Sequence, residues 1–242
     1  MLHLQTIRWQ RCPVSDVAHF TMEEGRRTYW RDGIGFVEEL EVMGNDLTVV
    51  NAARVSFEKE SHELSEQDVR LLSYLAKHNH ISPFFHPQIR FRLKMPIFVA
   101  REWFRHTVGF ARNEVSRRYV TFDPECWVPP IIREFCEFKK QGSKETEVAN
   151  ASDIKLMMQD HMNASCNLYN ELLQQDVAPE LARSVLPQSM YTEFIETGSL
   201  YAYLRLCHLR MQPDAQQEIQ IYARMVFDVL MRHFPVSAPL FV

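Results

Sequence analysis

One nine-residue run limits the fold more than any other: Gln88 to Pro96 reads QIRFRLKMP. Ile89, Phe91, Leu93 and Met95 alternate there with Gln88, Arg90, Arg92 and Lys94. Successive side chains of a strand point to opposite faces, so the run predicts a strand with one buried and one basic face. A strand of that kind needs sheet neighbours and a layer packed on its apolar side. Pro96 then suits the first turn of a helix, and IFVAREWFRH continues from it.

The remaining pattern fills in that layer. Phe36 to Met43 predicts an earlier strand, followed by a Gly44-Asn45-Asp46 turn. Leu47 to Phe57 is apolar with small residues, which leaves a helix and a buried segment both open. Ser65 with Asp68 three residues later is a capping-box start for a helix through His78. Its Val69, Leu72, Leu75 and Ala76 recur at helical spacing. Asn113 to Val120 predicts an extended stretch, and Gln141 to Glu147 a polar loop. Helices are expected at Ser152–Leu173, Pro179–Leu186, Ser199–Arg210 and Pro213–Phe234. The last carries the stripe Ile219, Tyr222, Val226, Val229 and Leu230. Residues 1 to 28 lack a clear period and read as an N-terminal extension to a single domain at 29–242. The expected fold is α+β, a small antiparallel sheet packed with helices.

Composition narrows function more than fold. Among 242 residues the net charge is −4, so the surface as a whole does not attract polyanions and any phosphate binding must come from local clustering. Lys supplies only seven of the 27 basic residues. Arg supplies the rest, and it suits bidentate recognition of phosphate or carboxylate. Cys12, Cys126, Cys136, Cys166 and Cys207 are odd in number and contain no Cys-x-x-Cys pair, against a disulfide scaffold or thiolate zinc site. No apolar run spans a bilayer and no secretory pattern opens the chain, so the expectation is a soluble, cytoplasmic protein.

Chemistry concentrates between Arg101 and Tyr119. Arg101, Arg105, Arg112, Arg117, Arg118 and His106 fall in this strip, with Glu102 and Glu114 among them. Cations closing a helix meet its dipole favourably, which accounts for Arg105 and His106 without any ligand. It does not account for Asn113, Glu114, Ser116, Arg117, Arg118 and Tyr119 in the stretch that follows. By composition alone a ligand site and a salt-bridged structural segment both remain open. His78, His80 and His86 match no standard zinc spacing, and surface or packing roles are expected for them.

The strip RHTVGFARNEVSRRY resembles the signature of the flavin-dependent thymidylate synthases: Arg-His-x, a short spacer, then Asn-Glu-x-Ser-x-Arg-Tyr. NDLTVVNAARVSF, HNHISPFFH and KMPIFVAREWFRH are similar to the family segments that precede it. ELARSVLP, TEFIETGSLYAYLRLCHLR and DAQQEIQIYA are similar to those that follow, in the same order. The resemblance implies methylation of deoxyuridine monophosphate (dUMP) to thymidylate. Methylenetetrahydrofolate would supply the carbon, and FAD reduced by NADPH the hydride, in a homotetramer whose active sites are shared between subunits.

By that resemblance Ser82, Arg105, His106, Thr107 and Glu114 would contact FAD, with Ser199, Leu200, Tyr201 and Arg205 joining from a neighbouring chain. Glu102, Arg105, Glu114, Val115, Ser116, Arg117, Arg118, Arg183 and Arg210 fall at nucleotide positions, and Arg210 at the one expected to activate the pyrimidine. A cation within about 4–6 Å shifts an ionisation by roughly 1–3 units, and losing the uracil N–H proton is such an ionisation. No metal is implied. The chain departs from the commoner pattern at Thr107, where a third basic residue is usual, at Glu102, often Gln, and in a spacer one residue longer than the shortest form. Two other classes fit the Arg/aromatic strip on its own: an RNA- or single-strand-binding module, and a non-catalytic scaffold using Arg–Glu pairs to tie subunits together. Both predict a colourless protein.

Overall fold

A computed structural model describes residues 21–120, 122–137 and 142–242. Its centre is a six-stranded antiparallel sheet. In chain order the strands are β1 (Thr21–Glu24), β2 (Arg27–Trp30), β3 (Phe36–Met43), β4 (Gln88–Pro96), β5 (Phe110–Glu114) and β8 (Tyr191–Ser199). They lie side by side as β1-β2-β3-β4-β8-β5. A separate hairpin pairs β6 (Arg133–Phe135) with β7 (Ser143–Glu147). The helices are α1 (Asp46–Arg54), α2 (Glu66–Lys77), α3 (Ile97–Trp103), α4 (Ala151–Gln174), α5 (Pro179–Ala182), α6 (Leu200–Arg210) and α7 (Gln217–His233). The result is the α+β arrangement expected, with α6 and α7 packed together over the sheet.

β4 carries the predicted alternation. Ile89, Phe91, Leu93 and Met95 are buried, with α7 residues Ile219, Tyr222, Val226 and Leu230 in the same core. Its basic face meets carboxylates instead of bare solvent: Arg90 pairs with Glu41 at 3.0 Å, Arg92 with Glu193 at 3.6 Å, and Lys94 with Glu125. The capping box forms as expected, with the Ser65 and Asp68 side chains and backbones bonded reciprocally. A second one, Asn45 with Thr48, starts α1 and resolves the 47–57 segment as helix.

Several boundaries differ from expectation. α3 stops at Trp103, where the backbone tightens into three-residue turns (Arg105 N–H to Glu102 C=O, His106 N–H to Trp103 C=O), so Arg105 and His106 lie in the turn beyond it. The extended segment begins earlier, at Phe110, and ends at Glu114. Residues 116–119 are a turn, in which Tyr119 N–H donates to Ser116 C=O and Arg118 N–H to Ser116 Oγ. Residues 143–147 form a strand instead of a loop, since Arg133 ties the hairpin to Ser143, Gln217 and Glu218. The connection at 133–144 is therefore a braced element, with residues 138–141 outside those described. α7 begins at Gln217, four residues beyond Pro213. β8 was not expected at all. Residues 1–20 of the expected extension lie outside the described residues, whereas 21–28 form β1 and the start of β2 at one edge of the sheet.

Candidate active site

The opposite edge of the sheet belongs to β5, and a cavity of about 260 Å³ opens at its C-terminal end. Glu114, Val115, Ser116 and Arg117 form one wall. Arg183 and Leu186, just after α5, form another, and Met190, Tyr191 and Thr192 bring in the start of β8. Ile97 at the start of α3 and Phe122 complete it. Five residues expected at nucleotide positions thus converge: Glu114, Val115, Ser116, Arg117 and Arg183.

Arg117 defines the electrostatics. It is only 6% exposed, yet no carboxylate pairs with it among the described residues. One Nη donates to the Phe122 carbonyl, and the guanidinium lies over the rings of Phe122 (4.3 Å) and Tyr169 (5.8 Å). Ring quadrupoles compensate part of a desolvated charge, but an unpaired buried ion still costs several kcal/mol, about the penalty seen when a buried pair loses one partner. Arg183 adds a second cation with no partner among the described residues. An anion bound between them would remove that cost.

Glu114 faces the same cavity and is held by Thr192, whose hydroxyl donates to it at 2.5 Å. Tyr191 is fixed in turn by its hydroxyl bonding to Asp32. Neither Tyr191 nor Thr192 was singled out from the sequence. Phe122 and Tyr169, five and 52 residues from Arg117, gave no sequence signal of their partnership either.

A second group forms where α3 and α6 end. Arg210 closes α6, donates from Nε to His106 Nε2 at 2.9 Å, and reaches the Glu102 carbonyl at 3.2 Å and carboxylate at 3.4 Å. Glu102 therefore orients Arg210. Three of the five guanidinium N–H donors are engaged, which leaves two for a ligand. Burial first, then the positive charges of Arg210, Arg112 and Arg205, push His106 down from its usual value to about 4. The imidazole is thus neutral at pH 7, and because Nε2 accepts from Arg210, Nδ1 carries the proton.

The expected flavin positions are placed unevenly. Ser82, Arg105, Thr107 and Arg205 are exposed, and neither Arg105 nor Arg205 has a carboxylate partner among the described residues. Tyr201 is half-buried against Phe85 and Phe241. Ser199 and Leu200 are buried: the Ser199 hydroxyl caps α6, and both backbone N–H groups bond within the fold, to Gly109 and Pro87. Gly109 has φ +82°, and a Cβ on it would lie 2.9 Å from the Ala202 Cβ, so the turn carrying Arg105 to Thr107 sits directly on the start of α6. Exposed guanidiniums without carboxylate partners, such as Arg105 and Arg205, suit a pyrophosphate. Arg118 turns outward to Glu180 at 3.3 Å, and no residue lining the cavity is a cysteine.

Comparison with known proteins identifies the family. The family model described as thymidylate synthase complementing protein matches residues 40–236. A flavin-dependent thymidylate synthase of Thermotoga neapolitana is 40% identical over 208 residues, covering 86% of this chain and 91% of that protein. One from Thermus thermophilus is 37% identical, covering 84% and 74%. Among solved structures, the UMP/dUMP methylase PolB from Streptomyces cacaoi bound with 5-Br dUMP superposes with a TM-score of 0.76 at 28% identity, over 85% of this chain and 93% of that one. With the family model spanning most of its length and relatives up to 40% identical, the chain belongs to the flavin-dependent thymidylate synthase family.

Proposed function

We propose that this protein methylates dUMP to thymidylate in the cavity at the end of β5, with methylenetetrahydrofolate as carbon donor and FAD, reduced by NADPH, as hydride source. The observation that carries the reading is Arg117, a buried guanidinium without a carboxylate partner, facing a cavity together with Arg183. The nucleotide phosphate is the anion that neutralises this pair, with Ser116 beside them. PolB, bound with 5-Br dUMP, supports a pyrimidine nucleotide as ligand.

FAD supplies the redox chemistry, and this chain's residues supply position and field. Ser82, Arg105 and Thr107 would hold it through its phosphates, with the neutral His106 beside them. Arg210, fixed by Glu102 and His106, directs its two remaining donors at the pyrimidine and stabilises the negative charge that develops as the ring N–H proton is lost. Glu114, fixed by Thr192, lies where nucleotide and flavin meet. The working form is a cytoplasmic homotetramer in which Tyr201 and Arg205 serve a neighbouring subunit's flavin. The catalytic domain takes in β1 and β2, so it begins no later than Thr21 instead of near residue 29.

Calorimetry on the flavin-loaded protein tests the reading. Binding of dUMP and feeble binding of unphosphorylated deoxyuridine are expected, since a desolvated charge contact is worth about 2–5 kcal/mol. Equal affinity for the two would remove the phosphate from the Arg117 cavity.

A further inference from the structure

Glu196 lies midway along β8 with no exposed surface. Its carboxylate accepts from the Trp103 indole at 3.1 and 3.3 Å and pairs with Arg112. Trp103 is the last residue of α3, next to Glu102 and three residues before His106. Arg112 is on β5, two residues before Glu114. One carboxylate thus joins the two segments that carry the site, although it does not line the cavity itself.

Stability gives little reason for the arrangement. A buried ion pair recovers its desolvation cost only with excellent geometry, and replacing one with apolar residues is often neutral or stabilising. Here the geometry is incomplete, because Arg112 Nη2 is buried with no partner. The guanidinium also lies over the faces of Phe104 (5.3 Å) and Phe110 (4.8 Å). The neighbouring inward position on the strand is an ordinary core residue, Phe194.

We propose that Glu196 is a positioning residue for nucleotide methylation: with Trp103 and Arg112 it sets the Glu102–His106 turn against the Glu114–Arg117 run. Thr192, four residues earlier on the same strand face, grips Glu114, so β8 holds β5 at two points. The assignment rests on the functional reading above.

Two variants of the flavin-loaded protein test it, by melting temperature, dUMP affinity, kcat and KM. Glu196→Gln keeps an acceptor for Trp103 but leaves Arg112 uncompensated. The double variant Glu196→Leu with Arg112→Met replaces the pair by apolar volume. We expect the double variant to melt within about 5 °C of wild type. In both variants kcat should fall roughly 10-fold to 100-fold with flavin retained, as misplacement near 1 Å produces. Normal kcat and KM in either variant would overturn the assignment and leave the pair purely structural. Wild-type protein that binds no dUMP would overturn the functional reading instead.

Discussion

At the scale of single residues, the site is built from charges kept in unfavourable places. Arg117 is desolvated and unpaired, so replacing it with a neutral side chain of similar length relieves a cost in the ligand-free protein. Arg117→Met is therefore expected to melt no lower than wild type while dUMP affinity falls by about 30-fold or more, the loss of a roughly 2 kcal/mol charge contact. Scanning calorimetry and isothermal titration measure the two effects, and unchanged affinity would remove Arg117 from the phosphate site. His106 makes a pH prediction. Its folded pKa of about 4 lies below the usual 6.5, so between these values the unfolded chain binds more protons than the folded one. Acidification through that window should destabilise the protein and loosen Arg210, because a protonated imidazole can no longer accept from its Nε. An NMR titration in which the His106 ring protonates near 6.5 would contradict this.

At the scale of elements, the site depends on where segments stop. α3 ends at Trp103, β5 at Glu114 and α6 at Arg210, and each stop sets out the side chains that follow or close it. The Gly109 turn makes one of these junctions. Gly109→Ala places a side chain at φ +82° and 2.9 Å from Ala202, so a loss above about 1 kcal/mol is expected, together with weaker flavin retention. Full flavin occupancy in a stable variant would show that the 105–109 turn does not hold the cofactor. Elements also explain what sequence could reveal. β4 was legible because its buried residues are apolar. β8 was not, because its inward face carries Thr192, Glu196 and Gly198 while Ile195 is 39% exposed, so the hydropathy pattern is broken by the residues that organise the site. The hairpin at 133–147 was missed for a related reason: charged side chains brace it, with little apolar burial.

At the scale of the whole molecule, the sheet places the site at its β5 edge, where strand ends can meet ligands, and puts α6 and α7 over its centre as a rigid backing. The motif from Arg105 to Tyr119 was legible as a family signature, and through it the expected site residues could be named, although Tyr191 and Thr192 of the cavity wall could not. The division of the site residues was not legible. Glu114 to Arg117 join Arg183 in one cavity, whereas Glu102, His106 and Arg210 form a second cluster where α3 and α6 end, and Glu196 with Arg112 links the segments that carry the two. Linkage offers a global check on ligand choice. A nucleotide at 100 times its Kd raises folding stability by about 2.7 kcal/mol, and Arg117→Met, binding about 30-fold more weakly, should keep only about 0.9 kcal/mol of it at the same concentration.

The most direct test of the account is product formation. Flavin-loaded protein is reduced with NADPH under anaerobic conditions, mixed with dUMP and methylenetetrahydrofolate, and analysed for thymidylate by mass spectrometry. The account predicts thymidylate from the wild type and none from Arg210→Ala, which should keep its flavin. Wild-type protein that holds flavin and binds dUMP yet yields no thymidylate would contradict it.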